Sequence, residues 1–370
     1  MKDRYDRVVI GGGIFGAYSA VILGKIGYTV LLVEQASELM GRASLVNQAR
    51  LHTGLHYPRS FVTAKESLGY YSKFRERFPS AVFDFQQIYA ISSHNSKTSS
   101  HDFLSFVSRI GINFEAIDPN QYFNTGAVDL AIKVEEPTFD TLILRDLILK
   151  EIEGNPDIEL CFNTAITGGA LSSAGSSLLL SNGNKVETDG VVIATYAGIN
   201  ALRQSLGLSN LPLSFELAEI ILGNVTSEMR GIGFTVMDGP FWSMMPFGNS
   251  GSVSLTSVGM TPLRRAQSLP IFDCQSMRSD CTPLRLADCN SCDVQPSSGI
   301  AHQKQQMKLF LKNQDFFTPT KSLMTVKSTL TTTEVDDARP TLIQKELDSQ
   351  TWTVLAGKVS TLFDLEGALN

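Results

Sequence analysis

Gly11-Gly12-Gly13-Ile14-Phe15-Gly16 puts glycines at the first, third and sixth positions of a GxGxxG string. Such a turn lets a pyrophosphate approach the backbone at Gly13, and a helix opening just after it adds free N–H groups and a positive dipole end. Glu34 closes the next apolar run, where its carboxylate can accept from ribose hydroxyls. The combination predicts a dinucleotide site. His52 and His56 lie four apart with Tyr57 adjacent. An imidazole titrates near neutrality, so one of the pair can take a hydroxyl or ammonium proton. The alternative for either is a structural histidine hydrogen-bonded in the core. No Glu or third His follows as HExxH would require, so a metal is not expected on the pair.

Arg339 and Arg59 are candidates to hold an anionic group, because guanidinium pairs bidentately with carboxylate or phosphate. Each could instead neutralise a carboxylate, with Asp336 and Asp337 close to Arg339. Cys274, Cys281, Cys289 and Cys292 gather four thiols in the irregular stretch 267–298, the last two as CxxC. They could form a structural zinc site, although Cys274 and Cys281 are too widely spaced for a second knuckle. An iron–sulfur cluster, a redox pair and four unrelated buried thiols are the other readings. Cys161 stands alone on a predicted strand and reads as core.

These residues need elements to place them. Arg7–Ile10, the glycine turn, a helix over Ala17–Gly27 and a strand over Tyr28–Val33 read as one β-α-β unit of a parallel sheet. Later stretches extend it. Asp140–Ile152 has helical spacing, while Ile158–Thr164, Leu178–Ser181, Val191–Thr195 and Thr351–Leu355 read as strands, and Val359–Leu369 as a closing helix. The sheet is thus assembled from separate pieces, 1–80, 138–212 and 322–370. Between them, 81–137 and 213–321 form a second, mostly antiparallel domain, with Phe83–Ile91 and Phe215–Thr261 as its clearest strands. Trp242, Met244, Met245 and Phe247 could wall a cavity but read first as core.

The 370 residues suit about two domains, and 43% hydrophobic with 18% charged residues fits a globular chain. Thirty-one Lys+Arg against 37 Asp+Glu, net −6 with no basic stripe, argue against a nucleic-acid partner. No run approaches the roughly 20 apolar residues of a membrane helix. Five cysteines make no disulfide framework, and the N-terminal apolar run ends in the glycine turn rather than a cleavage site, so a cytoplasmic setting is expected.

From Glu34 onward the sequence resembles the D-amino-acid-oxidase-like superfamily, with its glutathione-reductase-like FAD fold. Glu34 leads into a Gly/Ser segment, Gln35 to Ser44, that in this superfamily runs along the pyrophosphate. Leu51-His52-Thr53-Gly54-Leu55-His56-Tyr57 is similar to the histidine stretch of L-2-hydroxyglutarate dehydrogenases and flavin-linked glycerol-3-phosphate dehydrogenases, and Thr63–Gly69 continues the likeness as a helix. Asp189–Gly198 resembles the second flavin motif. Asp337–Thr341 and Leu355–Lys358 resemble the C-terminal Arg-Pro segment and glycine turn.

The resemblance implies an α/β fold with α+β character: a Rossmann-like FAD-binding domain carrying an inserted substrate domain. It implies that Gly11, Gly13, Ile14, Phe15, Gly16, Glu34, Gln35, Arg42, Ala43, Ser44, Thr195, Gly198, Gly357, Lys358 and Val359 bind FAD. It puts His52, His56, Tyr57 and Arg339 at the reaction centre. The expected activity is removal of a hydride from a C–OH or C–NH carbon of a small anionic substrate, with the electron acceptor and oligomeric state open. The alternatives are a redox-neutral, mutase-like flavoprotein or an electron-transfer subunit, and an NAD-dependent dehydrogenase built on the first β-α-β unit alone.

Overall fold

Valine-, isoleucine- and leucine-rich runs, buried on both faces, build the centre of the first sheet. The computed structural model describes residues 1–239, 241–313, 315–331 and 341–369. Its first sheet holds β1 (Arg4–Ile10), β2 (Val30–Val33), β6 (Ile158–Cys161), β7 (Ile166–Ala170), β8 (Ser176–Leu180), β9 (Lys185–Ile193), β16 (Leu342–Lys345) and β17 (Thr351–Leu355). The order β16-β17-β9-β1-β2-β6 is parallel from β17 to β6, with β16 antiparallel at the edge and a β7–β8 ribbon on β9.

Alternation along β1 sends Val9 to one core and Val8 and Ile10 to the other. On the Val9 face lie α1 (Ile14–Ile26) and α4 (Thr141–Glu153). Asp140 caps α4, its Oδ1 accepting from the Leu142 and Ile143 N–H groups at 2.9 and 3.1 Å, while Oδ2 accepts from Asn249 N at 2.8 Å. Asp140→Ala is therefore expected to lower stability by about 1–2 kcal/mol, read as an earlier urea midpoint. An unchanged midpoint would show that the cap is replaceable.

The second sheet comprises β3 (Val82–Ser92), β4 (Glu115–Ile117), β5 (Val128–Phe139), β10 (Leu213–Val225), β11 (Ile232–Met237), β12 (Trp242–Pro246), β13 (Val253–Ser257), β14 (Pro262–Gln267) and β15 (Phe317–Leu330). Its order is β14-β10-β13-β12-β11-β3-β5-β4, with β15 on β10. It is antiparallel apart from the β3–β11 pair. Four further helices are α2 (Phe61–Arg77), α3 (Ser100–Ile110), α5 (Ile199–Ser205) and α6 (Ile300–Phe310). Trp242 and Met244 are core, as read from the sequence.

Two expectations need correction. β15 pairs with β10 from Leu213↔Leu330 to Val225↔Phe317, so the second sheet runs past residue 322, where the sequence reading returned to the first. Long-range pairing along all of β10 sets that boundary, and no local signal marks it. The expected helix Val359–Leu369 is instead a 3₁₀ turn, Val359–Phe363, running into the five-residue α7 (Asp364–Ala368). Thr361 donates its hydroxyl to Lys358 O at 2.7 Å, a local bond that competes with regular helix hydrogen bonding. No described helix is long and apolar enough to cross a membrane.

Candidate active site

The glycine string leaves β1 at Ile10 and enters α1 at Ile14, with Gly13, which has no side chain of its own, as the N-cap. Gly16 is needed for packing, since a Cβ there would sit 1.8 Å from Gly11 O. At Gly13, by contrast, a Cβ would meet only Ser44 Oγ, at 3.5 Å. The backbone is open there, as a phosphate cradle must be. Ser44 Oγ accepts from Ile14 N at 3.0 Å and ties the segment after Glu34 to the same helix end. Glu34 follows β2 directly, its carboxylate accepting from Gly12 N (2.6 Å) and Ala36 N (2.8 Å). A carboxylate has about four acceptor positions, so capacity remains for ribose hydroxyls.

Beyond β9, Thr195 borders Gly11, and its hydroxyl is buried without a hydrogen-bond partner. Gly198 closes the same turn. An open glycine at the N-cap of a helix, a carboxylate with spare acceptors and an orphaned hydroxyl together fit a pyrophosphate-linked dinucleotide. Gln35, Arg42 and Ala43 lie half-buried along the connecting segment, where Arg42 O accepts from Leu45 N and Val46 N.

The histidine stretch is an irregular loop before α2, not a helix. Gly54 makes its turn at φ +105°, with a Cβ position only 2.5 Å from Ala64 O on α2. That turn brings His52 and His56 together, ring centroids 5.3 Å apart, and sets Tyr57 5.8 Å from His52. Lys358 arrives from the other end of the chain. Its Nζ stands 4.0 Å from the Tyr57 ring centroid and 3.3 Å from Ser67 Oγ on α2. Gly357 N donates to Thr341 Oγ1 at 3.1 Å, and Val359 opens the 3₁₀ turn. Arg59 takes the alternative reading offered for it, donating through Nε to Asp238 Oδ2 at 2.8 Å. Arg339 lies outside the described residues.

A buried polar cluster beneath the histidines was missed in the sequence. Arg50, with its side chain 1% exposed, reaches over four neighbouring strands of the second sheet. Nη2 donates to Thr235 Oγ1 (2.9 Å) and Ser243 Oγ (2.7 Å). Nη1 lies 2.9 Å from Tyr89 OH, 3.1 Å from His56 Nδ1 and 3.4 Å from Glu136 Oε2. Tyr89 in turn donates to Glu136 Oε1 at 2.8 Å. Burial pushes the Glu136 carboxyl up, against the pull of Arg50 and Tyr89. Burial also works against the Arg50 charge, yet Glu136 and Tyr89 hold the guanidinium protonated. Burial and the adjoining Glu136 raise the Tyr89 phenol well above its ordinary range. A lone Arg after Asn47-Gln48-Ala49 gives no local signal for this role. Only the sheet register, which aligns Tyr89 with Thr235 and Thr235 with Ser243, creates it.

The four loop cysteines are corrected as a metal site. Among the described residues no group of three or more His, Cys, Asp or Glu side chains is placed to hold a metal ion. The thiols serve packing and hydrogen bonding instead. Cys274, Cys281 and Cys289 pack on the second core of the first sheet. Cys281 Sγ accepts from Ala287 N at 3.4 Å, and Cys292 Sγ from Arg278 Nη1 at 3.4 Å. Burial, then the neighbouring Cys281, pushes the Cys289 thiol up to about 12. At pH 8 its alkylation is expected to be on the order of 1,000-fold slower than that of an unperturbed thiol. Peptide mapping of native against urea-unfolded protein measures this, and equal rates in the two would contradict it. Cys161, on β6, is half-buried.

The chain belongs to the family described as FAD dependent oxidoreductase, whose model matches residues 6–242. That family is named for FAD-dependent oxidation and reduction, and the fold is shared with solved FAD-dependent oxidases. The FAD-dependent monooxygenase FPY4 of Fusarium mangiferae is 28% identical over 262 residues, 69% of this chain and 64% of that protein. The chain therefore spans under two thirds of that relative's length. Glycine oxidase from Geobacillus kaustophilus superposes with a TM-score of 0.73 at 12% identity, covering 100% of this chain and 94% of that one. L-alpha-glycerophosphate oxidase from Mycoplasma pneumoniae, solved with FAD bound, gives 0.70 at 13% identity, covering 99% and 94%.

Proposed function

We propose that the enzyme oxidises a C–OH or C–NH carbon of a small anionic substrate at the His52–His56–Tyr57–Lys358 cluster. The observation that carries this reading is the convergence itself. Two imidazoles, a phenol and an ammonium from opposite ends of the chain meet within 4.0–5.8 Å of their neighbours. The chemistry supplied by bound FAD is acceptance of two electrons. Gly11, Gly13, Ile14, Phe15 and Gly16 would hold its pyrophosphate, Glu34 the ribose, and Thr195, Gly198, Gly357 and Val359 would border the remainder. A histidine of the pair takes the substrate's hydroxyl or ammonium proton, and Lys358, with Arg339, favours a carboxylate or phosphate nearby. The superposed oxidases carry names for one amine and one phosphorylated alcohol, which fits this substrate class. We divide the chain, on this reading, into the FAD-binding and substrate domains that the two sheets organise.

One finding favours a second reading. The Fusarium relative is named a monooxygenase, which would make the product carry an oxygen atom from O2. Anaerobic titration of the yellow protein with a panel of hydroxy acids, amino acids and phosphorylated alcohols separates the two. Stoichiometric bleaching by one panel member, with no other reductant, is the expected result. Bleaching only after a reduced nicotinamide is added would favour the monooxygenase and overturn the proposal.

A further inference from the structure

We propose that Arg50 fixes His56 as the tautomer carrying its proton on Nε2, so that His56 is a hydrogen-bond donor and His52 is the proton acceptor of the pair. The inference deepens the reading above and rests on it for the choice of residues, but the tautomer itself follows from a count of hydrogens. Both Nη2 hydrogens of Arg50 are taken, by Thr235 and Ser243. The two Nη1 hydrogens have three acceptors in range. Tyr89 OH at 2.9 Å and His56 Nδ1 at 3.1 Å are the near ones, while Glu136 Oε2 at 3.4 Å is a charge partner beyond good hydrogen-bond distance. Tyr89 has spent its own hydrogen on Glu136 Oε1 at 2.8 Å, so it has none to offer His56.

His56 Nδ1 therefore faces a donor and must supply a lone pair. Arginine does not lose its proton in a protein, and Glu136 adds to its hold. A second proton on the ring would place an N–H against the guanidinium. Neutral His56 must carry its one hydrogen on Nε2, which leaves neither nitrogen free to act as a base. Of the two histidines, the role of proton acceptor passes to His52. Arg50 is a positioning residue here, acting through His56, and Glu136 with Tyr89 position Arg50 in turn.

The test reads the ring nitrogens directly. FAD-saturated protein is labelled with 15N-histidine, and long-range 1H–15N correlation spectra at pH 7 are assigned with His56→Gln. The expected spectrum has His56 protonated on Nε2 alone. In the Arg50→Met/Glu136→Gln variant, which leaves no unpaired buried charge, the single tautomer is expected to give way to a mixture or to the Nδ1–H form. Wild-type protein showing Nδ1–H or an imidazolium at pH 7 would overturn the proposal. So would an unchanged Nε2–H tautomer in the double variant. Should that variant fail to fold, the wild-type spectrum decides alone. The spectra need no substrate, so a panel in which nothing bleaches the flavin would sink the functional reading and leave the tautomer standing or falling separately.

Discussion

Gly13→Glu is expected to fold normally and to purify without colour, its affinity for FAD falling at least about 100-fold, or roughly 2.7 kcal/mol. The new side chain meets no obstacle, since a Cβ at residue 13 finds only Ser44 Oγ at 3.5 Å. What it brings is a carboxylate at the start of α1, where the positive end of the helix dipole favours a phosphate. The glutamate would occupy that charge position itself and repel the pyrophosphate. Gly13→Ala serves as the control, with a small loss of affinity. Equal FAD binding by wild type and Gly13→Glu, measured by fluorescence titration, would mean that the pyrophosphate lies elsewhere.

The largest expected effect on stability comes from the buried pair beneath the histidines. Glu136→Leu strands a guanidinium that is 1% exposed, at a cost of about 3–5 kcal/mol, read from urea unfolding. Arg50→Met strands the carboxylate, which can escape by taking a proton, and should cost less. The double variant Arg50→Met/Glu136→Leu is expected to be more stable than Glu136→Leu alone, because it removes the charge left behind. Additive losses in this cycle would show that the two groups do not act as a pair.

How much of this was legible in the sequence depended on how local each cause is. The β-α-β unit, the glycine turn and Glu34 were readable because strand, turn, helix and strand follow one another within a short stretch, and each carries its own pattern. α1 begins at Ile14 rather than Ala17, because the glycine motif itself supplies the N-cap. The spacing of His52 and His56 marks them as a pair, and a loop turned at Gly54 brings their rings together. Lys358 reads by resemblance as an FAD-binding residue, and its seat over the Tyr57 ring needs the fold of both chain ends. Arg50 was invisible. A buried arginine is recognised by its partners, and these come from β3, β5, β11 and β12, up to 193 residues away. The cysteines show the converse error. Closeness in sequence suggested a shared ion, whereas the loop spends three of the thiols on core packing.

Quantifying the flavin carried by the purified full chain tests the central claim most directly. Spectra of the chromophore, both released by acid and retained on the polypeptide, are predicted to sum to one FAD per chain. Protein that stays colourless after dialysis against saturating FAD, while keeping its native unfolding transition, would contradict the account.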